Sequence, residues 1–187
     1  YKPDRFLRAS DLADNLGQEN NPEWKTIALD ANSNELVSPL GSIGYRWGEK
    51  GKWNIEEKDS AGRETRLRLS LKDHADAIEA VSFPYFGGIE NDYWTESKFD
   101  EVLERNIPVK RLQLADGQEW AVASVYDLLL AQYGVDRGFG GGNVAASFDD
   151  NVPGTPAWQE RITGVPRSCA ASMAAMSIFF AGKKKTI

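Results

Sequence analysis

The strongest helical pattern along the chain is "SVYDLLLAQYG", where Ser124 precedes an apolar run, Asp127 stands three positions on and Gly134 closes it. A hydroxyl at the N-cap, an acid at N3 and a glycine past the end are helix start and stop signals. The strongest hairpin pattern is "VKRLQL-ADGQ-EWAVAS", two alternating runs around Asp116-Gly117, a dipeptide that suits a tight turn. "WKTIAL-DANSN-ELVSP" predicts two short strands about a polar turn. "ETRLRLSL" predicts a one-sided strand with Leu67, Leu69 and Leu71 facing in and Arg66, Arg68 and Ser70 facing out. Near the start, Phe6, Leu7, Leu12, Ala13 and Leu16 recur at helical spacing, with Ser10 placed to cap a second short helix and Gly17 at its end. "KDHADAIEAV" predicts a short helix, and "PRSCAASMAAMSIFFAGKKKTI" a helix that starts at Pro166 and ends in a lysine triplet.

In "SIGYRWGEKGKW", Ile43, Tyr45 and Trp47 alternate with Gly44 and Arg46, and Trp53 and Ile55 continue the alternation beyond the glycines. A hairpin brings both apolar sets to one face only if its loop has an odd number of residues, so a loop of three or five is expected. Gly48-Glu49-Lys50 as that loop pairs Tyr45 with Trp53 and leaves Gly51 for a bulge. "FPYFGG" reads as a rigid aromatic turn, "ENDYWTES" as loop, and "DRGFGGGNVAASFDDNVPGTP" as a long loop rich in Gly, Asp and Pro. The expected fold class is α+β: hairpins in the first two thirds, flanked by helices. No internal repeat breaks this order.

Composition narrows the function classes. With 187 residues, 41% hydrophobic and 27% charged, the chain has the balance of a globular domain with a core of its own. Its net charge is −6 with no basic stripe, which argues against nucleic acid as a partner. No apolar run is long enough to cross a bilayer, so direct membrane insertion is not expected. The N-terminus lacks a signal-peptide pattern, and Tyr1 in place of Met suggests a piece of something longer. A single cysteine, Cys169, allows no internal disulfide and suits a reducing compartment.

Each chemical motif loses to a plainer reading. "RGFGGGN" lacks the glycine spacing of a dinucleotide loop, since Asn143 occupies the sixth position counted from Gly138, and it follows a helix; it reads as a flexible connector. Asp30, Asn32 and Asn34 alternate like calcium ligands, but Glu35 and Gly41 stand where glycine and a bidentate glutamate are needed, so a polar turn is expected. His74, the only histidine, lies between Asp73 and Asp76 and reads as a solvated surface group. Cys169, in an Ala- and Met-rich run, reads as a small buried residue. Glu56-Glu57 and Asp149-Asp150 are adjacent, so their side chains diverge and do not form catalytic pairs. Trp24, Trp47, Trp53, Trp94, Trp120 and Trp158 allow a ligand-stacking surface, but the alternation around Trp47 and Trp53 favours a hairpin's core edge. No catalytic or metal-binding residue emerges, and no cofactor-binding residue is identified.

Taken together, "FLRASDLADNLGQENNPEWKT", "GSIGYRWGEKGKWN", "FPYFGG", "PVKRLQLADG", "VYDLLLAQYGVDRG" and "TPAWQERITGVPR" resemble an internal segment of the catalytic alpha subunit of membrane-bound respiratory nitrate reductases, within the molybdopterin oxidoreductases. The resemblance runs from about Phe6 to Arg167 in one order. It implies residues 1–167 as one α+β module, a partial domain of a larger molybdoenzyme subunit, and 168–187 as a tail outside the family pattern. "FGGGNV" also departs from the family, which reads "LNDVN" there. The resemblance implies reduction of nitrate to nitrite at a molybdenum bis-molybdopterin guanine dinucleotide. Electrons come from quinol through a haem-bearing membrane gamma subunit and an iron–sulfur beta subunit. It further implies a [4Fe–4S] cluster in the alpha subunit and a place on the cytoplasmic face of the membrane. In the family the cluster ligands and the molybdenum-binding aspartate lie upstream of this segment. The segment is therefore expected to hold no cofactor, to act as scaffold with the remainder of the alpha subunit, and to be inactive alone. The competing expectation is a free-standing binding module that uses exposed tryptophans.

Overall fold

The computed structural model describes residues 5–12, 26–39, 58–59, 62–84 and 102–183, with the helix backbone alone over 176–183. The chain divides into two compact units. One comprises Tyr1–Pro3, Ile78–Ile107 and Leu128–Ile187, and the other Asp4–Ala77 and Pro108–Asp127. Helices α1 (Ala9–Leu12), α2 (Val125–Gln132), α3 (Pro156–Thr163) and α4 (Arg167–Lys183) accompany strands β1 (Ala28–Asp30), β2 (Leu36–Val37), β3 (Leu67–Arg68), β4 (Ala77–Pro84), β5 (Val102–Gln113) and β6 (Glu119–Val122). The fold is α+β, with one sheet ordered β2-β1-β3 and another β4-β5-β6.

In the unit of Asp4–Ala77 and Pro108–Asp127, β1 pairs antiparallel with β2 through Ala28 opposite Val37, and with β3 through Asp30 opposite Leu67. The polar turn expected between the first two strands is present, and Asn34 within it takes a left-handed φ of 59°. The β5–β6 hairpin is also as expected: Leu112 faces Trp120, and Gly117 at φ 84° completes the turn. Among the described residues of this unit, Ala9, Leu29, Val37, Leu71, Val109, Leu112 and Leu114 are buried.

Two readings of this stretch need correction. The strand expected through "ETRLRLSL" shrinks to Leu67–Arg68, and Leu69, expected inside, is 68% exposed. Asp30 fixes the strand's entry, its carboxylate accepting the Arg66 N–H at 2.7 Å. The helix expected over "KDHADAIEAV" is a 3₁₀ turn at Lys72–His74 followed by strand β4. Ala75 turns extended at φ −73° and ψ 143°, and the Asp76 N–H bonds the Val109 carbonyl at 2.9 Å. Pairing with β5 overrides the helix preference of Ala, Asp and Glu.

In the other unit, Val81, Phe83, Ile107, Ala131 and Ala157 are buried. Helix α3 arises where the pattern reading gives no element. Thr155 is its N-cap, accepting the Trp158 N–H, Pro156 begins it, and Gly164 ends it at φ 71° with its N–H on the Glu160 carbonyl. These are ordinary cap signals. Helix α4 packs on α3. It starts beside Pro166, as expected, with the Cys169 N–H on the Pro166 carbonyl at 2.9 Å. The aromatic hairpin expected at Ser42–Trp53, the tail of "FPYFGG" and "ENDYWTES" lie outside the described residues.

Candidate functional site

The least expected feature is Arg105, a strand residue on β5 only 2% exposed. Its Nε donates to the Asn143 carbonyl at 2.7 Å, Nη1 to the Ala131 and Gln132 carbonyls at 2.9 and 3.0 Å, and Nη2 to the Pro153 carbonyl at 2.8 Å. All four partners are backbone oxygens. Two belong to the last turn of α2, whose dipole presents negative partial charge there. Burial pulls the pKa of Arg105 below its ordinary value, yet a guanidinium stays protonated. The side chain therefore works as a charged tie that satisfies orphan carbonyls from a helix end and from two points on the following loop.

That loop, between α2 and α3, was expected to be a flexible connector. It is built. Val135 bridges Ala145 in parallel, the Ala145 N–H bonds the Gly134 carbonyl at 2.8 Å, and Asn106 Nδ2 donates to the Phe139 carbonyl at 3.1 Å. Neighbouring residues of β5, Arg105 and Asn106, thus hold the loop from below. Gly141, at φ 88°, lies so close to Asn106 that an added Cβ would come within 2.9 Å of the side-chain amide. Gly141 thus serves close approach to a protein amide.

In the other unit, carboxylates play the corresponding part. Asp30 is buried and accepts the Arg66 N–H at 2.7 Å, the Ser33 N–H at 3.0 Å and the Ser33 hydroxyl at 2.9 Å. The Arg66 N–H foremost, then Ser33, lower its pKa to about 2 against the opposing effect of burial. Asp127, 1% exposed, donates its own N–H to Ser124 Oγ at 3.0 Å and accepts the Ser124 hydroxyl at 2.8 Å, forming the expected cap. The same carboxylate also accepts the Ser70 hydroxyl and the Leu71 N–H, both at 2.8 Å. Asp76 accepts the Arg111 N–H at 2.8 Å, with Lys110 Nζ at 3.7 Å.

The residues singled out from sequence do not converge. Asp30 belongs to a polar turn, as expected. His74 is half-buried at the end of the 3₁₀ turn, its N–H on the Leu71 carbonyl at 2.8 Å. Cys169, expected to be buried, is exposed, because α4 packs on α3 and leaves that position uncovered. Asp149 and Asp150 do diverge, from a turn in the loop between α2 and α3. Asp149 meets Arg167 at 3.0 Å, while Asp150 accepts the Ala146 and Ser147 N–H groups, each at 3.0 Å. Arg167 also bonds Glu160, which, with Asp149, raises its pKa. Trp120 lies under the Arg5 guanidinium, 4.3 Å from the ring centre, and Trp158 is half-buried in α3. Trp24, Trp47, Trp53 and Trp94 lie outside the described residues, as do Glu56 and Glu57. Sequence reasoning missed Arg105 and the second duty of Asp127; neither carries a local signal.

Among the described residues, no three His, Cys, Asp or Glu side chains come together as metal ligands. The carboxylates that are buried already accept backbone and hydroxyl donors, so this donor set does not fit a molybdenum centre or an iron–sulfur cluster. No helix of the described residues is long and apolar enough to cross a membrane.

The buried charges of the described residues, Arg105, Asp30 and Asp127, are turned inward on the chain's own backbone and hydroxyl groups. No family model matches the chain. It is 56% identical, over 169 residues, to the respiratory nitrate reductase 1 alpha chain of Escherichia coli (strain K12), a match that takes in 90% of this chain and 14% of that protein. It is 54% identical over 174 residues to the respiratory nitrate reductase 2 alpha chain of the same strain, 93% of this chain and 14% of that protein. With the respiratory nitrate reductase alpha chain of Bradyrhizobium sp it shares 42% identity over 175 residues, 92% of this chain and 16% of that protein. The chain belongs to the nitrate reductase alpha-chain family and corresponds to about 14% of the length of the Escherichia coli relatives. A free-standing tryptophan module is not favoured by a match that fills nine-tenths of the chain.

Proposed function

We propose that the chain is a scaffold segment of the catalytic alpha subunit of a respiratory nitrate reductase, which reduces nitrate to nitrite in anaerobic respiration. The observation that carries this reading is 56% identity over 169 residues to an alpha chain of that name. In the assembled enzyme, molybdenum bis-molybdopterin guanine dinucleotide and a [4Fe–4S] cluster are held by other parts of the subunit. An iron–sulfur beta subunit and a haem-bearing gamma subunit complete the path from quinol, with the alpha subunit on the cytoplasmic face of the membrane. The family module takes in residues 1–167, and a tail beyond it falls within 168–187.

The part of this segment is mechanical. Arg105 fixes the loop between α2 and α3, and Asp30 and Asp127 fix strand and helix ends, so the surfaces shown to the rest of the subunit keep their shape. The purified 187-residue chain is expected to show no viologen-driven nitrate reduction and no stoichiometric pterin or molybdenum. A full-length alpha subunit carrying the segment is expected to show all three. Nitrate turnover by the short chain alone, or an active subunit with the segment deleted, overturns the reading.

A further inference from the structure

Helix α2 presents an outer face unlike that of a helix in free solution. Val125, Leu129 and Tyr133 lie one turn apart along it, 60%, 50% and 61% exposed, with Tyr126 beside them at 40%. Tyr133 continues the helical line, its N–H on the Leu129 carbonyl at 3.2 Å. The one charged residue of α2, Asp127, is buried, so this face carries no charge at all. By contrast, α3 carries Glu160 and Arg161. Solvent-facing helix surfaces are normally charged, whereas interface cores lose charge and gain tyrosine.

We propose that this α2 face is an internal interface of the alpha subunit, covered by polypeptide that lies outside these 187 residues. The inference rests on the family assignment and on the segment reading above. The relatives are some seven times longer than the stretch they share with this chain, so most of the subunit is available to cover it. The face also suits that occupant better than a second copy. Four half-exposed side chains offer on the order of 400 Å², against about 800 Å² per partner in a stable association. A contact within one polypeptide needs no such area, since the partners are already held together. The covering surface is apolar at its centre, with a hydrogen-bond acceptor at its edge for the Tyr133 phenol.

Hydroxyl-radical footprinting of the full-length subunit, read residue by residue by mass spectrometry, tests this. The same subunit unfolded in urea is the exposed reference, so the comparison does not depend on the short chain. Coverage predicts that Leu129 and Tyr133 react at least tenfold more slowly in the folded subunit. Protection of only about twofold, the amount their 50% and 61% exposure allows, overturns the proposal. Sedimentation of the 187-residue chain supplies the second arm. A monomer supports coverage by the remaining subunit, and a dimer dispersed by Leu129→Asp assigns the face to a second copy and overturns it. If protection is absent while the subunit still reduces nitrate, this interface fails and the functional reading stands.

Discussion

The guanidinium of Arg105 occupies the space that a side chain on Gly134 would need: a Cβ there would sit 2.9 Å from Arg105 Nη2 and 3.3 Å from the Pro153 carbonyl. Gly134 is also left-handed, at φ 70°. Gly134→Ala therefore meets both backbone strain and overlap, with an expected loss of about 2–3 kcal/mol. Gly117→Ala is the control, because φ is 84° there but nothing lies within 4 Å of the added Cβ, and its expected loss is about 1 kcal/mol. Urea unfolding of both variants checks the difference; equal losses refute the packing account.

Arg105→Lys keeps the charge but offers a compact ammonium on a shorter reach, with three donors for carbonyls spread over α2 and its following loop. The expected loss is about 3 kcal/mol, since buried carbonyls lose their partners. Amide exchange should accelerate first at the Ala145 N–H, which bonds the Gly134 carbonyl. Unchanged exchange there would show that the loop holds itself without the arginine.

Asp30 gives a pH signature of definite sign. Its folded pKa lies near 2, below the ordinary 3.8, so its contribution is present above the ordinary value and is lost as pH falls toward 2. The parent chain should lose stability between pH 4 and pH 2 more steeply than Asp30→Asn, and the variant should be less stable at neutral pH. Denaturant midpoints across that range decide it. Parallel pH curves would mean that Asp30 titrates alike in both states.

Asp127→Ala keeps the backbone N–H on Ser124 Oγ but removes at once the acceptor for the Ser124 hydroxyl, the Ser70 hydroxyl and the Leu71 N–H. The expected loss is about 3 kcal/mol, against about 1 kcal/mol for Ser124→Ala, which removes the cap alone. Thermal unfolding of the two variants checks the ratio.

Much of this architecture was legible because it is written locally. The α2 cap and the Asp116-Gly117 turn depend on residues within a few positions of one another, and both stand where the pattern puts them. Helix α3 carried equally local signals in Thr155, Pro156 and Gly164, yet its apolar pattern is faint. Strand β4 failed for the opposite reason: its first half lies in a run of Ala, Asp and Glu that favours a helix, and pairing with the distant β5 makes it a strand. Arg105 was invisible for a related cause. Its partners are backbone oxygens 26 to 48 positions away, and a carbonyl has no sequence identity to read. The family resemblance was legible throughout, because it rests on order and spacing over most of the chain and not on any one element.

The Asp127 carboxylate also bears on the order of folding. Its cap partner, Ser124, is three positions away, whereas Ser70 is 57 away, and one oxygen, Oδ2, serves both the Ser124 hydroxyl and the Leu71 N–H. Starting the helix and closing that long stretch of chain are thereby welded into a single event. Losing that carboxylate therefore loosens the start of α2 and the Ser70–Leu71 turn together, although they are far apart in the chain.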